Sequence, residues 1–504
     1  LEKQKQKARK ANDLVEEANL CNIAGEKLAG YRLFEEAIKE HGMELRLSES
    51  LDDTIAVAIA HRKIGECLCE LQDFTQALFH QQKHLELSRK CQNLVEEQRA
   101  LATIGRTLFQ SAVSTSEMRK AQTAFLESLS ICDQLRDIVK EKELLEMRAR
   151  LYLNLGLVYS NLKNQKKGIK YIEKALTITV NHSLKETEYR CHFSIGEIKL
   201  SENHPAEALQ CFERARKTAQ HQGMKFEEAD TLVQMGQALL QLGDFRGAKN
   251  ILKKCYKTMK HGNMVDDLRS CLIKAIKGVK LLAKLAQTKD EPQMKACEDL
   301  GDLYSSVKCF SEAIHYYLKQ LDLSRILEKS NHEKAVICFS IAQSYSDNRQ
   351  YDKAEEYFHK ELTLLDGKQQ EQCDTWCNIA ELYERAGKCF EEIEKAYNNA
   401  LQFASQCENE SRKRRLLKLL AELRRRQNTV ENELEECSAG VKIEEDSEMS
   451  EEPLSVEESC DDDEDDDRLI QEEMEFSDSE EEQEGETSCT ARSKRTSTFK
   501  RNEK

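Results

Sequence analysis

Ala60-His61-Arg62-Lys63-Ile64-Gly65-Glu66, followed by Leu71-Gln72-Asp73-Phe74-Thr75-Gln76-Ala77-Leu78, decides the fold of this chain. Gly65 and Ala77 stand twelve residues apart, and the aromatic Phe74 lies close to the break between them. Both flanks read as amphipathic helices, so the stretch is a helical hairpin. A small residue in the middle of each helix lets two antiparallel backbones approach where a larger side chain would wedge them apart. The same pair recurs as Gly25 with Ala37, Gly156 with Gly168, Gly196 with Ala208, Gly236 with Ala248, Gly301 with Ala313 and Ala342 with Ala354. Two more pairs, Gly105 with Ala121 and Ala380 with Ala396, fit if the intervening turn is four residues longer, as Ser111-Ala112-Val113-Ser114-Thr115-Ser116 implies for the first.

Other positions fill at fixed offsets from these anchors. Ile64, Ile104, Leu155, Ile195, Met235, Leu300, Ile341 and Ile379 precede the small residue, and Tyr159, Tyr304, Tyr345 and Tyr383 follow it by three. Phe34, Phe74, Phe245, Phe310 and Tyr351 stand nine after it, and Trp376 takes the usual tryptophan place of the last repeat. This convergence is the tetratricopeptide signature and predicts an all-α, right-handed α-solenoid of about nine hairpins. The anchors recur mostly every 40 residues (25, 65, 105; 156, 196, 236) against a usual ~34, so longer helices are expected. Between Gly236 and Gly301 the spacing stretches to 65, and helical periodicity over 266–287 predicts one inserted helix. The predicted organisation is a solenoid with a capping helix over 1–427, an acidic disordered region over 428–490 and a basic linker over 491–504.

Composition agrees: 504 residues exceed one compact core, and 33% charged residues with three prolines favour long helices. The 19 cysteines are scattered without CxxC spacing and read as small core hydrophobes of a reducing compartment. No apolar run approaches the ~20 residues of a membrane span, and the charged opening has no signal-peptide core. The first residue is Leu1 rather than Met, so the chain reads as part of a longer protein. The net charge of −16 is unevenly held: residues 441–490 carry 24 acidic residues against Lys442 and Arg468, leaving 74 basic against 68 acidic residues, or +6, elsewhere.

That acidic stretch has too few apolar residues to bury a core. Within it, the run 461–467 is followed by Leu469, Ile470, Met474 and Phe476, apolar anchors for a histone-binding tail, with a plain solubilising spacer as the other reading. Ser459, Ser477 and Ser479 each precede an acid by three and read as sites for an acid-directed kinase. Ahead of the tail, 412–426 is a leucine-striped helix of charge +7, read as the solenoid's cap. An import signal, a nucleic-acid contact or docking of the acidic tail remain open as further roles of that helix.

Stacked hairpins place the residue after each small anchor on the groove. Five of the nine are acidic, Glu26, Glu66, Glu197, Asp302 and Glu381, and such a groove attracts a basic extended peptide. The blander reading is a solvated face in a Glu-rich chain. No GxxxxGK[ST], HExxH or GxSxG motif occurs, and the histidines are dispersed through helices, so neither enzyme activity, cofactor nor metal is expected.

Four stretches carry a family resemblance: 60–66 quoted above, Ala102-Thr103-Ile104-Gly105-Arg106-Thr107, Arg148-Ala149-Arg150-Leu151-Tyr152-Leu153-Asn154-Leu155-Gly156 and Cys297-Glu298-Asp299-Leu300-Gly301-Asp302-Leu303. With the acidic stretch behind them, they resemble the Tonsoku-like family along nearly the whole chain. The ankyrin, ubiquitin-like and leucine-rich parts of that family are absent from this sequence. The resemblance implies a nuclear scaffold, partly cytoplasmic, at chromatin and replication forks. Its implied partners are core histones and histone chaperones, an Mms-twenty-two-like protein and replication-fork proteins, and its implied role is homologous-recombination repair of stalled forks. It implies no membrane partner, and direct nucleic-acid binding stays open. The alternatives are a cytoplasmic adaptor of the Pins or kinesin light chain type, or an inhibitor-like scaffold for a Rel-type transcription factor.

Overall fold

The computed structural model describes residues 1–258, 265–407 and 410–438, and among the described residues it holds 21 α-helices and no strand. Helix α1 (Glu2–Ala11) precedes six hairpins: α2 (Leu14–Gly30) with α3 (Phe34–Ser50), α4 (Thr54–Glu70) with α5 (Phe74–Lys90), α6 (Leu94–Ser111) with α7 (Thr115–Gln134), α8 (Glu141–Asn161) with α9 (Gln165–Asn181), α10 (Lys185–Ser201) with α11 (Pro205–Gln222), and α12 (Lys225–Gln241) with α13 (Phe245–Thr258). The inserted α14 (Val265–Gln287) follows. Three further hairpins are α15 (Asp290–Ser306) with α16 (Phe310–Ile326), α17 (Asn331–Asp347) with α18 (Tyr351–Leu364), and α19 (Gln369–Ala386) with α20 (Phe390–Gln406), and α21 (Glu410–Ser438) closes the series. The nine hairpins fall where the spacing of small residues puts them. The chain divides into two compact units, Leu1–Thr231 and a second beginning at Leu232.

The 40-residue period has a simple origin. Helices α2 to α5 are each 17 residues long and three-residue turns join them, so two helices and two turns make one repeat. In each turn the middle residue takes the left-handed conformation, as Arg32 (φ 61°), Asp52 (φ 54°) and Gln72 (φ 63°) do. The next N–H then returns to a carbonyl five residues back, Asp53 to Ser48 at 3.1 Å and Asp73 to Leu68 at 3.0 Å. Those same aspartates accept from the first N–H groups of the following helix, Asp53 from Ile55 and Ala56 and Asp73 from Gln76. One residue thus helps close one helix and opens the next, satisfying orphan groups at both ends.

The two longer hairpins depart from expectation. Their turns, 112–114 and 387–389, are no longer than the others, and the four extra residues lie within the helices, between each small residue and the turn. Four residues are about one helical turn, so the insertion leaves the packing faces in phase.

The small anchors also work differently from simple backbone approach. A Cβ on Gly196 would meet the Phe212 ring at 2.6 Å, and one on Gly105 would meet Phe125 at 2.8 Å. His41, Gln81, Ile172, Leu252 and Tyr317 plug Gly25, Gly65, Gly156, Gly236 and Gly301 in the same way. The glycine is therefore a socket for a side chain four residues past the second small residue. Only at Gly156 and Gly168 do both backbones also close in, each notional Cβ falling within 2.8 Å of the other residue's carbonyl. Filling such a socket overpacks the hairpin, at a typical cost of ~1–3 kcal/mol.

Candidate functional site

In the first unit the first helices of successive hairpins, α4, α6, α8 and α10, line a groove of about 590 Å³. A neighbouring hollow of about 390 Å³ is lined by Glu26, Lys63, Glu66, Glu70 and Arg106 among others. Glu26 and Glu66 thus lie on this face, as their offset implies. They do not lie there alone. The larger groove also presents Arg62, Arg99, Arg106, Arg150 and Arg190, and the carboxylates Glu143, Glu146 and Glu186.

These charges neutralise one another across and along the helices. Glu66 pairs with Arg62 at 3.2 Å, Glu146 with Arg150 at 2.6 Å, and Glu186 with Arg190 at 3.1 Å. Arg99 bridges Glu143 of the next hairpin at 2.9 Å. Glu26 is held by the buried Lys63 from the following hairpin, which also reaches Asn22 at 2.8 Å, and the hydrogen bond from Lys63 lowers the Glu26 carboxyl. Behind the groove wall, burial opposes ionisation of Glu96, but His84, Arg62 and Arg99 outweigh it and hold the carboxyl at about 2.

Glu197 is the exception. It makes no ion pair or hydrogen bond among the described residues, and crowding by the protein around it raises its carboxyl to about 7. Its side chain is nonetheless exposed, on the stripe of α10 that carries Glu186 and Arg190 but two turns beyond Arg190 and outside the residues that line the groove. Nearby in sequence, the start of α12 meets the first hairpin: the Arg32 guanidinium lies 5.1 Å from the Phe226 ring centroid, and burial raises the Asp230 carboxyl against the pull of Arg32.

The other two candidates belong to the second unit. Asp302 accepts from the Tyr317 hydroxyl at 2.6 Å. Burial and Glu384 raise the Glu381 carboxyl, while Arg415 and Arg385 oppose them. Leu469, Ile470, Met474, Phe476, Ser459, Ser477 and Ser479 lie outside the described residues.

All of the groove's arginines but Arg106, which follows the Gly105 anchor directly, are residues that sequence reading missed. Arg99, Arg150 and Arg190 each stand six before a glycine anchor, Gly105, Gly156 and Gly196, so the register that located the acids also located them. Histidines mostly find partners: His41 bonds Glu44 at 2.8 Å and His84 bonds Glu96 at 3.0 Å. His61 and His80 meet through their Nδ1 atoms at 2.9 Å, and burial together with His80 pushes His61 down to about 4. No group of His, Cys, Asp or Glu among the described residues is arranged to hold a metal ion.

The tetratricopeptide repeat family matches residues 149–181 and 229–258, and a second family of the same description matches 337–371. The Tonsoku-like protein of Mus musculus is 36% identical over 431 residues, covering 83% of this chain and 31% of that protein. That of Danio rerio is 37% identical over 517 residues, covering 100% of this chain and 36% of its own, and that of Drosophila melanogaster is 30% identical over 423 residues, covering 80% and 30%. The chain therefore spans about a third of the length of the curated relatives it matches. Among solved structures, BtubC of P. vanneervenii aligns at a TM-score of 0.37 and 16% identity over 46% of this chain and 94% of its own. Yeast Tom70 aligns at 0.26 and 13% over 82% and 96%.

Proposed function

The chain is a member of the Tonsoku-like family by homology over most of its own length, and from that premise we propose that it is a chromatin and DNA-repair scaffold whose first-unit groove holds a basic histone tail. The observation that carries this reading is Glu197, an exposed carboxylate left without a cation on the same helical stripe as Glu186 and Arg190, beyond a groove whose own acids are matched. An arriving lysine or arginine supplies the missing charge and, on docking, covers the exposed carboxylate from water. The arginine–glutamate pairs of the groove supply donors and acceptors for an extended backbone without adding net attraction, so they favour register over affinity. Each exposed ionic contact is worth ~0.2–1 kcal/mol, and the partly desolvated one at Glu197 more.

On this reading the protein works as a non-enzymatic nuclear scaffold at replication forks, with core histones, their chaperones, an Mms-twenty-two-like protein and fork proteins as partners. The acidic stretch 441–490 is a second histone contact, with Leu469, Ile470, Met474 and Phe476 as anchors, and phosphorylation of Ser459, Ser477 and Ser479 adds to its charge. The test is titration of the full chain with amino-terminal histone-tail peptides and with the same peptides acetylated on every lysine. Salt-sensitive binding that acetylation weakens several-fold supports the proposal, and equal affinity for both peptides contradicts it. Deleting 441–490 should lower affinity for whole core histones at physiological salt.

A further inference from the structure

Helix α21 has two faces of opposite character. Leu416 and Leu420, 2% and 3% exposed, join the last core beside Tyr397, Ala400 and Ala404, with Leu419 and Leu423 packed around them. The other face carries Arg414, Leu417, Lys418 and Ala421, all exposed, with Leu417 at 47%. Their spacing of three, four and seven places them on one stripe. Arg414 and Lys418 make no ion pair among the described residues, so two cations flank an uncovered leucine.

We propose that this face is the docking site of the chain's own acidic run, residues 461–467, so that the tail lies along the cap and covers its basic residues. Charge complementarity selects the occupant. All seven residues of the run are acidic, and Leu469 and Ile470 follow after one intervening Arg468, so acids and a short apolar pair match the two cations and Leu417. The tether permits it. The 22 residues 439–460 between the end of α21 and the run reach up to ~73 Å. The way back along the helix from Ser438 to Arg414 is only ~36 Å. A tethered partner acts at an effective concentration in the millimolar range, enough to sustain individually weak, screened contacts. The contact does not depend on what the first-unit groove binds. Its consequence is that the cap is withheld from other polyanions until the run is drawn away by a more basic partner.

Carbodiimide cross-linking of the monomeric full chain tests the contact, because it joins a lysine to a carboxylate only when they touch. At about 0.15 M salt Lys418 should join residues 461–467 about tenfold more often than the exposed control Lys166, and the yield should fall several-fold when screening is strengthened at about 0.6 M. Arg414→Glu, which leaves the buried leucines untouched, should lower the Lys418 yield several-fold with circular dichroism unchanged. Joining of Lys418 at the same frequency as Lys166 overturns the proposal. In a second arm, the chain with every acid of 461–467 changed to its amide should bind a short DNA duplex about fivefold more tightly than the natural chain. Equal affinity means that nothing covers the cap, and also overturns it.

Discussion

Glu197 in the first unit and Glu361 in the second are both carboxyls pushed up to about 7 by burial, and they differ in what faces them. Glu361 is 7% exposed, accepts the Thr375 hydroxyl at 3.0 Å on Oε1 and has no partner on Oε2. Glu197 is exposed, on the helical stripe of Glu186 and Arg190. The same shift therefore has two meanings. A sealed carboxyl is a liability that the fold carries, whereas an open one is a vacancy that a cation can fill. Neither meaning follows from the shift alone; accessibility decides between them.

The largest expected effect separates the two by stability. The folded-state value at Glu361 lies above the ordinary carboxylate value, so folding disfavours its charged form. Stability is highest below the ordinary value, falls as pH rises from about 4.3 towards 7, and stays lowered above that. Glu361→Gln should remove this loss, stabilising the second unit by roughly 2–3 kcal/mol at about pH 8 and by almost nothing near pH 4. Trp376, next to Thr375 and packed on the same core, reports it by fluorescence during urea unfolding. A constant gain at both pH values would contradict the assignment.

A smaller effect is expected at Glu197, and on binding. A basic tail should bind the natural chain several-fold more tightly at about pH 8 than at about pH 6, as Glu197 loses its proton and gains a partner, whereas Glu197→Gln should be nearly flat across that window. The smallest effect comes from making a matched acid resemble Glu197. Lys63→Gln removes the cation, with a side chain one atom shorter, and releases Glu26, and should strengthen tail binding by about twofold, within the range of one exposed contact. Peptide anisotropy measures both.

The fold was legible because the repeat writes its packing into local sequence. A glycine socket, its plug and an aromatic by the turn keep fixed offsets, and Asp53, Asp73 and Asn93 mark the caps directly. The lengthened hairpins were misread at Ser111 to Ser116 because polar residues that resemble a long turn in fact begin α7, where Ser114 and Glu117 form a capping box. The groove was half legible. The offset of Glu66 and Glu197 follows from helical geometry, but their partners do not: Lys63 reaches Glu26 from 37 residues away, and nothing of the kind reaches Glu197. Charge matching between hairpins is a tertiary property, and only assembled neighbours reveal it.

The central claim is that Glu197, and not merely an acidic face, recognises the basic tail. Charge reversal at two equivalent positions tests it most directly: Glu197→Lys and Glu66→Lys, each in the full chain, titrated with one histone-tail peptide at about pH 8 with circular dichroism as the folding control. Glu197→Lys should weaken binding about tenfold and Glu66→Lys about twofold, since Arg62 already neutralises Glu66. Equal losses at the two positions, or none at Glu197, would contradict the account.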